Sequence, residues 1–145
     1  TMRILAVDLG KARTGLAVCD EGELLASPVG VIQEYNRERL AAAVAAKAGE
    51  YRVGEIVVGL PRNMDGSEGE SAQSARAFAE QLRALIDVPV HMQDERGTTI
   101  TAHGYLNDTD TRGKKRKAVV DAVAATIILE DYLMYRRNRK HLFNN

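Results

Sequence analysis

Four acidic side chains stand where a folded chain of this pattern could bring them together. Asp8 ends the first predicted strand, Asp94 and Glu95 follow the fifth, and Asp121 lies in the first turns of the last predicted helix. Carboxylates that converge at the carboxyl ends of strands commonly hold Mg²⁺ or Mn²⁺, because these hard cations take oxygen ligands and leave positions open for phosphate and water. Two such ions can activate an attacking water and stabilise the leaving oxygen. These residue types therefore favour metal-dependent hydrolysis of a phosphodiester.

Asp8 is the acid whose environment the sequence constrains most. It follows residues 4–7, an uninterrupted apolar run that is typical of a strand covered on both faces. A carboxylate at the end of such a strand needs a proton, a cationic partner or a metal, because desolvating it alone is strongly unfavourable. Arg13 and Arg96 offer a structural alternative to the metal, since either could form an ion pair with a buried acid.

Asp94 and Glu95 are adjacent, and strand geometry distinguishes them. Successive side chains of a strand point to opposite faces, so only one of the two can face Asp8 if the strand continues that far. We favour Glu95 as the ligand and expect Asp94 to hold an arginine or a turn amide. The predicted metal ligands and catalytic acids are therefore Asp8, Glu95 and Asp121.

A run of four cations opens the last predicted helix. Lys114, Lys115, Arg116 and Lys117 stand at its amino end, where the helix dipole disfavours each positive charge by up to about 1 kcal/mol. The run is either a solvated charged surface or a sign that an anion lies nearby. A polyanionic substrate explains the position better, since the run lies just before Asp121 and could hold phosphates beside the metal site.

Other polar residues could contact the same substrate. Residues 59–69 form a predicted loop that is dense in turn-forming residues, and its glycines would let backbone amides approach a phosphate. Asn63 and Ser67 in this loop could donate hydrogen bonds to that phosphate. Arg13 and Arg96 complete the predicted substrate-binding set.

The apolar pattern predicts the elements that must position these side chains. Pro28 indicates that the third strand lies at an edge or carries a bulge, because proline cannot donate to a strand ladder. Asn36 and Ser71 are predicted helix N-caps. The predicted strands cover residues 4–7, 16–20, 24–32, 56–60 and 88–92, and the helices cover residues 37–50, 71–86, 98–106 and 115–137. The last helix is expected to bury Val120, Val123, Ala124, Ile127 and Met134.

This order of elements predicts the fold class. Three strands able to pair antiparallel, followed by alternating helix and strand, describe an α/β fold with a mixed five-stranded sheet and helices on both faces. The 145 residues fit one domain, and neither a repeat nor a linker divides residues 1–145.

Composition restricts the classes of function. The formal net charge is zero, so a nucleic-acid partner must be argued from local clusters of charge. Apolar residues make up 45% and charged residues 28%, an ordinary balance for a globular protein. Cys19 is the only cysteine, so no internal disulfide can form. Because no apolar run is long enough for a signal peptide or a membrane span, we expect a cytoplasmic protein with no membrane partner.

Four segments together resemble the YqgF/RuvX family of pre-16S rRNA nucleases, which are related to Holliday junction resolvases. The segments are residues 8–15 (DLGKARTG), 59–69 (GLPRNMDGSEG), 94–96 (DER) and 114–121 (KKRKAVVD). The second is the most specific, because a loop of that length and composition is unlikely to recur by chance. The resemblance extends from residue 3 to about residue 137.

The resemblance implies a ribonuclease H-like fold, a cytoplasmic location and divalent-metal-dependent hydrolysis of a phosphodiester. It also implies a role in maturing the 5′ end of small-subunit ribosomal RNA, a step in ribosome biogenesis. Carried over position by position, it implies that the metal-binding acids are Asp8, an acid of the Asp-Glu-Arg segment, and Asp121.

We therefore predict a Mg²⁺- or Mn²⁺-dependent nuclease that acts on structured or single-stranded RNA. A junction-resolving endonuclease on branched DNA would share the fold and the catalysis, and its two-fold substrate would favour a homodimer. A non-catalytic RNA-binding assembly factor would keep the basic run but tolerate the loss of Asp8. A nucleotide-binding domain of the actin and sugar-kinase type also begins with Asp-x-Gly, but it needs a second domain for which 145 residues leave no room.

Overall fold

The computed structural model describes residues 3–22, 25–94 and 113–143, and for residues 113–121 and 139–143 it describes the backbone alone. The short helix predicted at residues 98–106 lies outside these ranges. The described elements, in chain order, are β1 (Ile4–Asp8), β2 (Arg13–Cys19), β3 (Ala26–Gln33), α1 (Arg37–Glu50), β4 (Glu55–Leu60), α2 (Glu70–Leu85), β5 (Val90–Asp94) and α3 (Gly113–Phe143).

The five strands form one mixed sheet in the order β3-β2-β1-β4-β5. β1 pairs antiparallel with β2, and β2 pairs antiparallel with β3. β4 lies parallel to both β1 and β5. The predicted mixed sheet, with its first three strands antiparallel, is therefore confirmed. Because β1, β4 and β5 run in the same direction, their last residues Asp8, Leu60 and Asp94 lie along one edge, which we call the carboxyl edge.

Two cores form on opposite faces of this sheet. On one face, alternate strand residues such as Leu5, Val7 and Ile56 pack against α1 and α2. On the other, Ile4 and Ala6 pack against α3 along with their strand neighbours. We call these the α1/α2 face and the α3 face. Both faces of β1 and β4 are covered, which explains their continuous apolar sequences.

The outer strand β3 carries the irregularity that Pro28 predicts. Its register with β2 shifts between Leu16, which opposes Gly30, and Ala17, which opposes Pro28. A proline fits there because β3 is an edge strand and the bulge removes the need for its missing N–H. The prediction of an edge position or a bulge is confirmed in both respects.

The two predicted helix caps have different outcomes. The Asn36 side chain accepts a hydrogen bond of 2.9 Å from the Arg39 amide, so it caps α1 as expected. The cap predicted at Ser71 is wrong, because α2 begins at Glu70 and its N-cap is Gly69, which has no side chain to offer. The preceding loop, rather than a capping hydroxyl, holds the start of this helix.

The last helix differs from its prediction in length and in buried face. It runs from residue 113 to residue 143, beyond the predicted end at residue 137. Its core-facing residues are Ala125, Ile128, Leu129, Tyr132 and Leu133, whereas Met134 is 56% exposed. Of the predicted stripe, Ala124 is buried as expected, Val123 and Ile127 are half-buried, and the side chain of Val120 lies outside the described part of the chain. The prediction is wrong for Met134, because apolar residues occur on more than one side of this helix. No described helix is both long enough and apolar enough to span a membrane.

Candidate active site

Asp8 occupies the centre of the carboxyl edge. It ends β1, where it opposes Gly15 of β2, while Val7 opposes Val58 of β4. Ile4 and Ala6 belong to the core on the α3 face, and side chains alternate along a strand, so Asp8 lies on the α3 face as well. Its side chain is half-buried. A carboxylate held by the backbone of a central strand is a well-fixed oxygen donor for a hard cation.

Arg13 shares this face with Asp8. It is the first residue of β2, and the same alternation that puts Ala17 and Cys19 into the α3-face core puts Arg13 on that side. The residue is half-buried. Its position suits both predicted roles, as a partner of Asp8 and as a contact for a substrate phosphate.

The turn between β1 and β2 depends on Gly10. A Cβ atom on Gly10 would lie 2.0 Å from the carbonyl oxygen of Arg13, so only glycine fits. The Gly10 amide donates to the hydroxyl of the fully buried Thr14 at 3.4 Å, and the Gly10 carbonyl accepts a 2.8 Å hydrogen bond from Arg37 Nη1. The role of Arg37 was not predicted, although a cation in the first turn of α1 opposes the helix dipole and was a usable signal.

Asp94 lies on the opposite face of the sheet from Asp8. Val90 and Met92 pack into the α1/α2-face core, so alternation puts Asp94 on that face. Its Oδ2 atom lies 3.7 Å from Nη1 of Arg62. The expectation that Asp94 holds an arginine is confirmed. Glu95 lies outside the described residues, and its role as the metal ligand stays a prediction.

The loop at residues 61–69 is folded by its own polar groups. The Asn63 side-chain amide donates to Ser67 Oγ at 2.9 Å. Ser67 in turn donates its hydroxyl to Asp65 Oδ1 at 2.6 Å, and the same oxygen accepts the Ser67 amide at 2.9 Å. Asn63 and Ser67 are exposed, as substrate contacts must be, but their side chains already serve the turn. Their predicted role in binding a phosphate stays a prediction.

Glu68 ties this loop to α2. Arg76 donates two hydrogen bonds of 2.7 Å to its carboxylate, one to each oxygen. Arg62 Nε adds a third contact at 3.3 Å. The hydrogen bond from Arg76, helped by the charges of Arg76 and Arg62, lowers the pKa of Glu68 to about 2. Glu68 is therefore a charged structural acid at neutral pH.

The direction of α3 is set by contacts at the opposite edge of the sheet. Arg136 Nη1 lies 2.7 Å from Oε2 of Glu55, the first residue of β4. The other Glu55 oxygen lies 3.2 Å from His91 Nε2. Tyr132 of α3 lies beside the same carboxylate. Its burial, and next its hydrogen bond with Glu55, raise the pKa of Tyr132 to about 12. Because Arg136 is fixed at the amino end of β4, the earlier turns of α3 run toward the carboxyl edge.

The predicted residues of α3 lie in those earlier turns. The helix backbone includes Asp121 and the four cations Lys114, Lys115, Arg116 and Lys117, but their side chains lie outside the described part of the chain. Arg96 lies outside it altogether. Among the side chains that are described, no three His, Cys, Asp or Glu residues come together as a metal site. Of the three predicted ligands, only Asp8 has its side chain in the described part of the chain. Its carboxylate oxygens are the kind of ligand that Mg²⁺ or Mn²⁺ prefers.

Comparison with solved structures defines the class of fold. Thermus thermophilus RuvC in complex with Holliday junction substrate is 18% identical, with a TM-score of 0.56 over 94% of this chain and 96% of that one. The fowlpox virus Holliday junction resolvase is 14% identical, with a TM-score of 0.56 over 92% of this chain and 99% of that one. The fold is thus the ribonuclease H-like fold of the RuvC type, as the resemblance implies.

The chain belongs to the RuvX family, described as Holliday junction resolvase, whose model matches residues 2–135. A relative from Anaeromyxobacter sp. (strain Fw109-5) is 46% identical over 132 residues, which cover 91% of this chain and 96% of the relative. A relative from Halothermothrix orenii is 41% identical over 140 residues, which cover 97% and 99%. Both relatives carry the name "Putative pre-16S rRNA nuclease".

Proposed function

We propose that this protein is a divalent-metal-dependent nuclease that hydrolyses RNA phosphodiester bonds in the 5′-end maturation of pre-16S rRNA in the cytoplasm. The observation that carries the proposal is Asp8, a half-buried carboxylate at the end of the central strand on the face covered by α3. Membership of the RuvX family supports a nuclease role. The names of the relatives support ribosomal RNA as the substrate.

The proposal assigns roles to this chain's own residues. Asp8, Glu95 and Asp121 would hold Mg²⁺ or Mn²⁺, and the ion would supply an activated water and stabilise the leaving oxygen. Asp8 pairs with Gly15 of β2 and directly follows Val7, which pairs with β4, so its backbone is well fixed and little reorganisation is needed when it binds. Arg13 lies on the same face, where its guanidinium can orient a phosphate.

The direct test is cleavage of a labelled single-stranded RNA with Mn²⁺ or with chelator, comparing the native chain with Asp8→Asn. We expect metal-dependent cleavage that falls by at least about 100-fold in the variant, since a carboxylate ligand becomes a neutral amide. Equal thermal melting of the two proteins would show that the fold is retained. RNA binding without cleavage by either protein would contradict the nuclease proposal and favour an assembly factor.

A second candidate is a junction-resolving endonuclease, which the description of the RuvX family favours. The same assay with a labelled four-way DNA junction separates the two candidates. Cleavage of the junction at paired positions, with single-stranded RNA left intact, would select the resolvase. Cleavage of RNA alone would select the proposed function.

A further inference from the structure

Four charged residues of alternating sign form a chain of ion pairs at the carboxyl edge, which we call the Arg62 network. Asp94 lies 3.7 Å from Arg62, and Arg62 lies 3.3 Å from Glu68. Glu68 is bound in turn by Arg76 through two hydrogen bonds of 2.7 Å. The network connects the end of β5, the loop at residues 61–69 and the second turn of α2.

Arg62 makes the loose contacts of this network. Its distance of 3.7 Å to Asp94 is outside hydrogen-bonding range, and its 3.3 Å contact with Glu68 is long for a charged pair. Glu68 keeps two short bonds from Arg76, so its charge stays compensated when Arg62 turns away. Arg62 can therefore change partners without leaving Glu68 as an uncompensated acid.

The position of Arg62 suits a substrate contact. It follows the end of β4 by two residues, and β4 lies between the strands that end in Asp8 and Asp94. Neighbouring strands lie about 4.8 Å apart, so the end of β4, two residues before Arg62, lies one strand from Asp8, while the Arg62 guanidinium lies against Asp94 of the next strand. Its partner Asp94 faces the α1/α2 side, whereas Asp8 faces the α3 side. A nucleic-acid strand that crosses the edge would thus meet Asp8 and Arg62 at different phosphates.

Charge also favours Arg62 over its loop neighbours. It is the only cationic residue among residues 61–69, and its side chain is 33% exposed. The side chains of Asn63 and Ser67 bind each other and Asp65 inside the turn. A guanidinium matches the geometry of a phosphate through two parallel hydrogen bonds, which a single amide or hydroxyl does not.

We propose that Arg62 binds a substrate phosphate next to the scissile one, giving up its contact with Asp94 to do so. Glu68 contacts Nε of the Arg62 guanidinium and competes with the phosphate for that group. Arg76 keeps Glu68 in place through its two hydrogen bonds. This inference rests on the proposed function, because it assumes a nucleic-acid substrate at the carboxyl edge. It adds a phosphate-binding residue outside the predicted metal site.

The test is the salt dependence of binding to a labelled single-stranded RNA, measured with chelator so that no cleavage occurs. For Arg62→Gln, the slope of log affinity against log salt should become shallower by about 0.7, the value for one phosphate contact with a single strand. Affinity at low salt should fall roughly tenfold, as for loss of one charge-assisted hydrogen bond. Arg52→Gln is the matched control, since Arg52 is exposed and lies in the turn before β4, away from the carboxyl edge.

Glu68→Gln separates phosphate binding from a purely structural role. Because Glu68 competes with the phosphate for Arg62, Glu68→Gln should tighten RNA binding. The slope of log affinity against log salt should stay unchanged, since Arg62 still contacts the phosphate. If the network merely supports the loop, both Arg62→Gln and Glu68→Gln should weaken binding without changing the slope, and that pair of results would overturn the proposal. The Glu68 variant also keeps the test valid if Arg62→Gln melts at a much lower temperature than the native chain.

Turnover kinetics provide a second readout. Arg62→Gln should raise KM several-fold and leave kcat within about twofold, as expected for a contact made equally in the ground and transition states.

The outcomes distinguish the role of Arg62 from the proposed function. If the native chain cleaves RNA while Arg62→Gln keeps the native slope of log affinity against log salt, the role of Arg62 alone is overturned. A shallower slope in proteins that do not cleave would contradict the proposed function alone. No RNA binding by the native chain would overturn both.

Discussion

Loss of Arg136 should destabilise the fold through the carboxylate that it leaves behind. The Glu55 side chain is 7% exposed, and its ion pair with Arg136 Nη1 is 2.7 Å long. Removing one partner of a buried pair costs about 3–5 kcal/mol, because the remaining charge is uncompensated. His91 Nε2, at 3.2 Å from the other carboxylate oxygen, keeps a polar contact with Glu55 and lowers this figure. The loss of the guanidinium over the Tyr132 ring, at 5.9 Å, adds about 0.5–1 kcal/mol.

We therefore expect Arg136→Met to lower the free energy of unfolding by about 2–4 kcal/mol at neutral pH. Urea denaturation measures the change, and Arg137→Met serves as a control. Arg137 is the exposed neighbour on the same helix, and its replacement should change stability by less than about 0.5 kcal/mol.

A double-mutant cycle isolates the pair. Glu55→Gln together with Arg136→Met should be less destabilising than the sum of the two single changes, because the double variant buries no unpaired charge. The reasoning fails if Arg136→Met changes the free energy of unfolding no more than Arg137→Met does. It also fails if the changes in the free energy of unfolding caused by Glu55→Gln and Arg136→Met simply add in the double variant. Either result would mean that water or His91 already compensates the Glu55 carboxylate.

Two further predictions concern the carboxyl edge. The lowered pKa of Glu68 means that its ion pairs contribute stability above its unfolded value of 4.5 and lose it as the pH falls through about 2. Urea midpoints of the native chain and Glu68→Gln should therefore converge between pH 4.5 and pH 2, and a constant difference would contradict this. Gly10→Ala should destabilise by about 2 kcal/mol because its Cβ would meet the Arg13 carbonyl oxygen. Gly49→Ala, in open space near the end of α1, should be neutral or stabilising by up to about 1 kcal/mol, and equal melting temperatures for the two glycine variants would refute the turn argument.

Local sequence signals predicted the parts of the fold that depend on local contacts. The cap at Asn36 and the edge position of Pro28 follow from backbone chemistry within a few residues. The same applies to the sheet, whose buried strands are short continuous apolar runs. The alternation rule also separated Asp94 from Asp8, because it needs only the parity of positions along a strand.

Contacts between distant residues could not be predicted in this way. Glu55 and Arg136 are 81 positions apart, and nothing in either neighbourhood selects the other. The buried face of α3 depends on which of several apolar sides meets the sheet, which periodicity alone does not decide. Gly69 is the N-cap of α2 because the ion pairs of Glu68 fix the preceding loop, so the nearby hydroxyl of Ser71 is not needed as a cap.

The α3 face has a consequence for the order in which the chain can fold. Its apolar strand residues, among them Ile4, Ala6 and Val57, are covered by a helix that follows all five strands in the chain. During synthesis, the sheet can assemble on α1 and α2 while this second surface still faces solvent. Exposed apolar surface on an unfinished sheet promotes aggregation and chaperone binding. Emergence of α3 from the ribosome therefore forms the second core and covers this apolar surface in the same step.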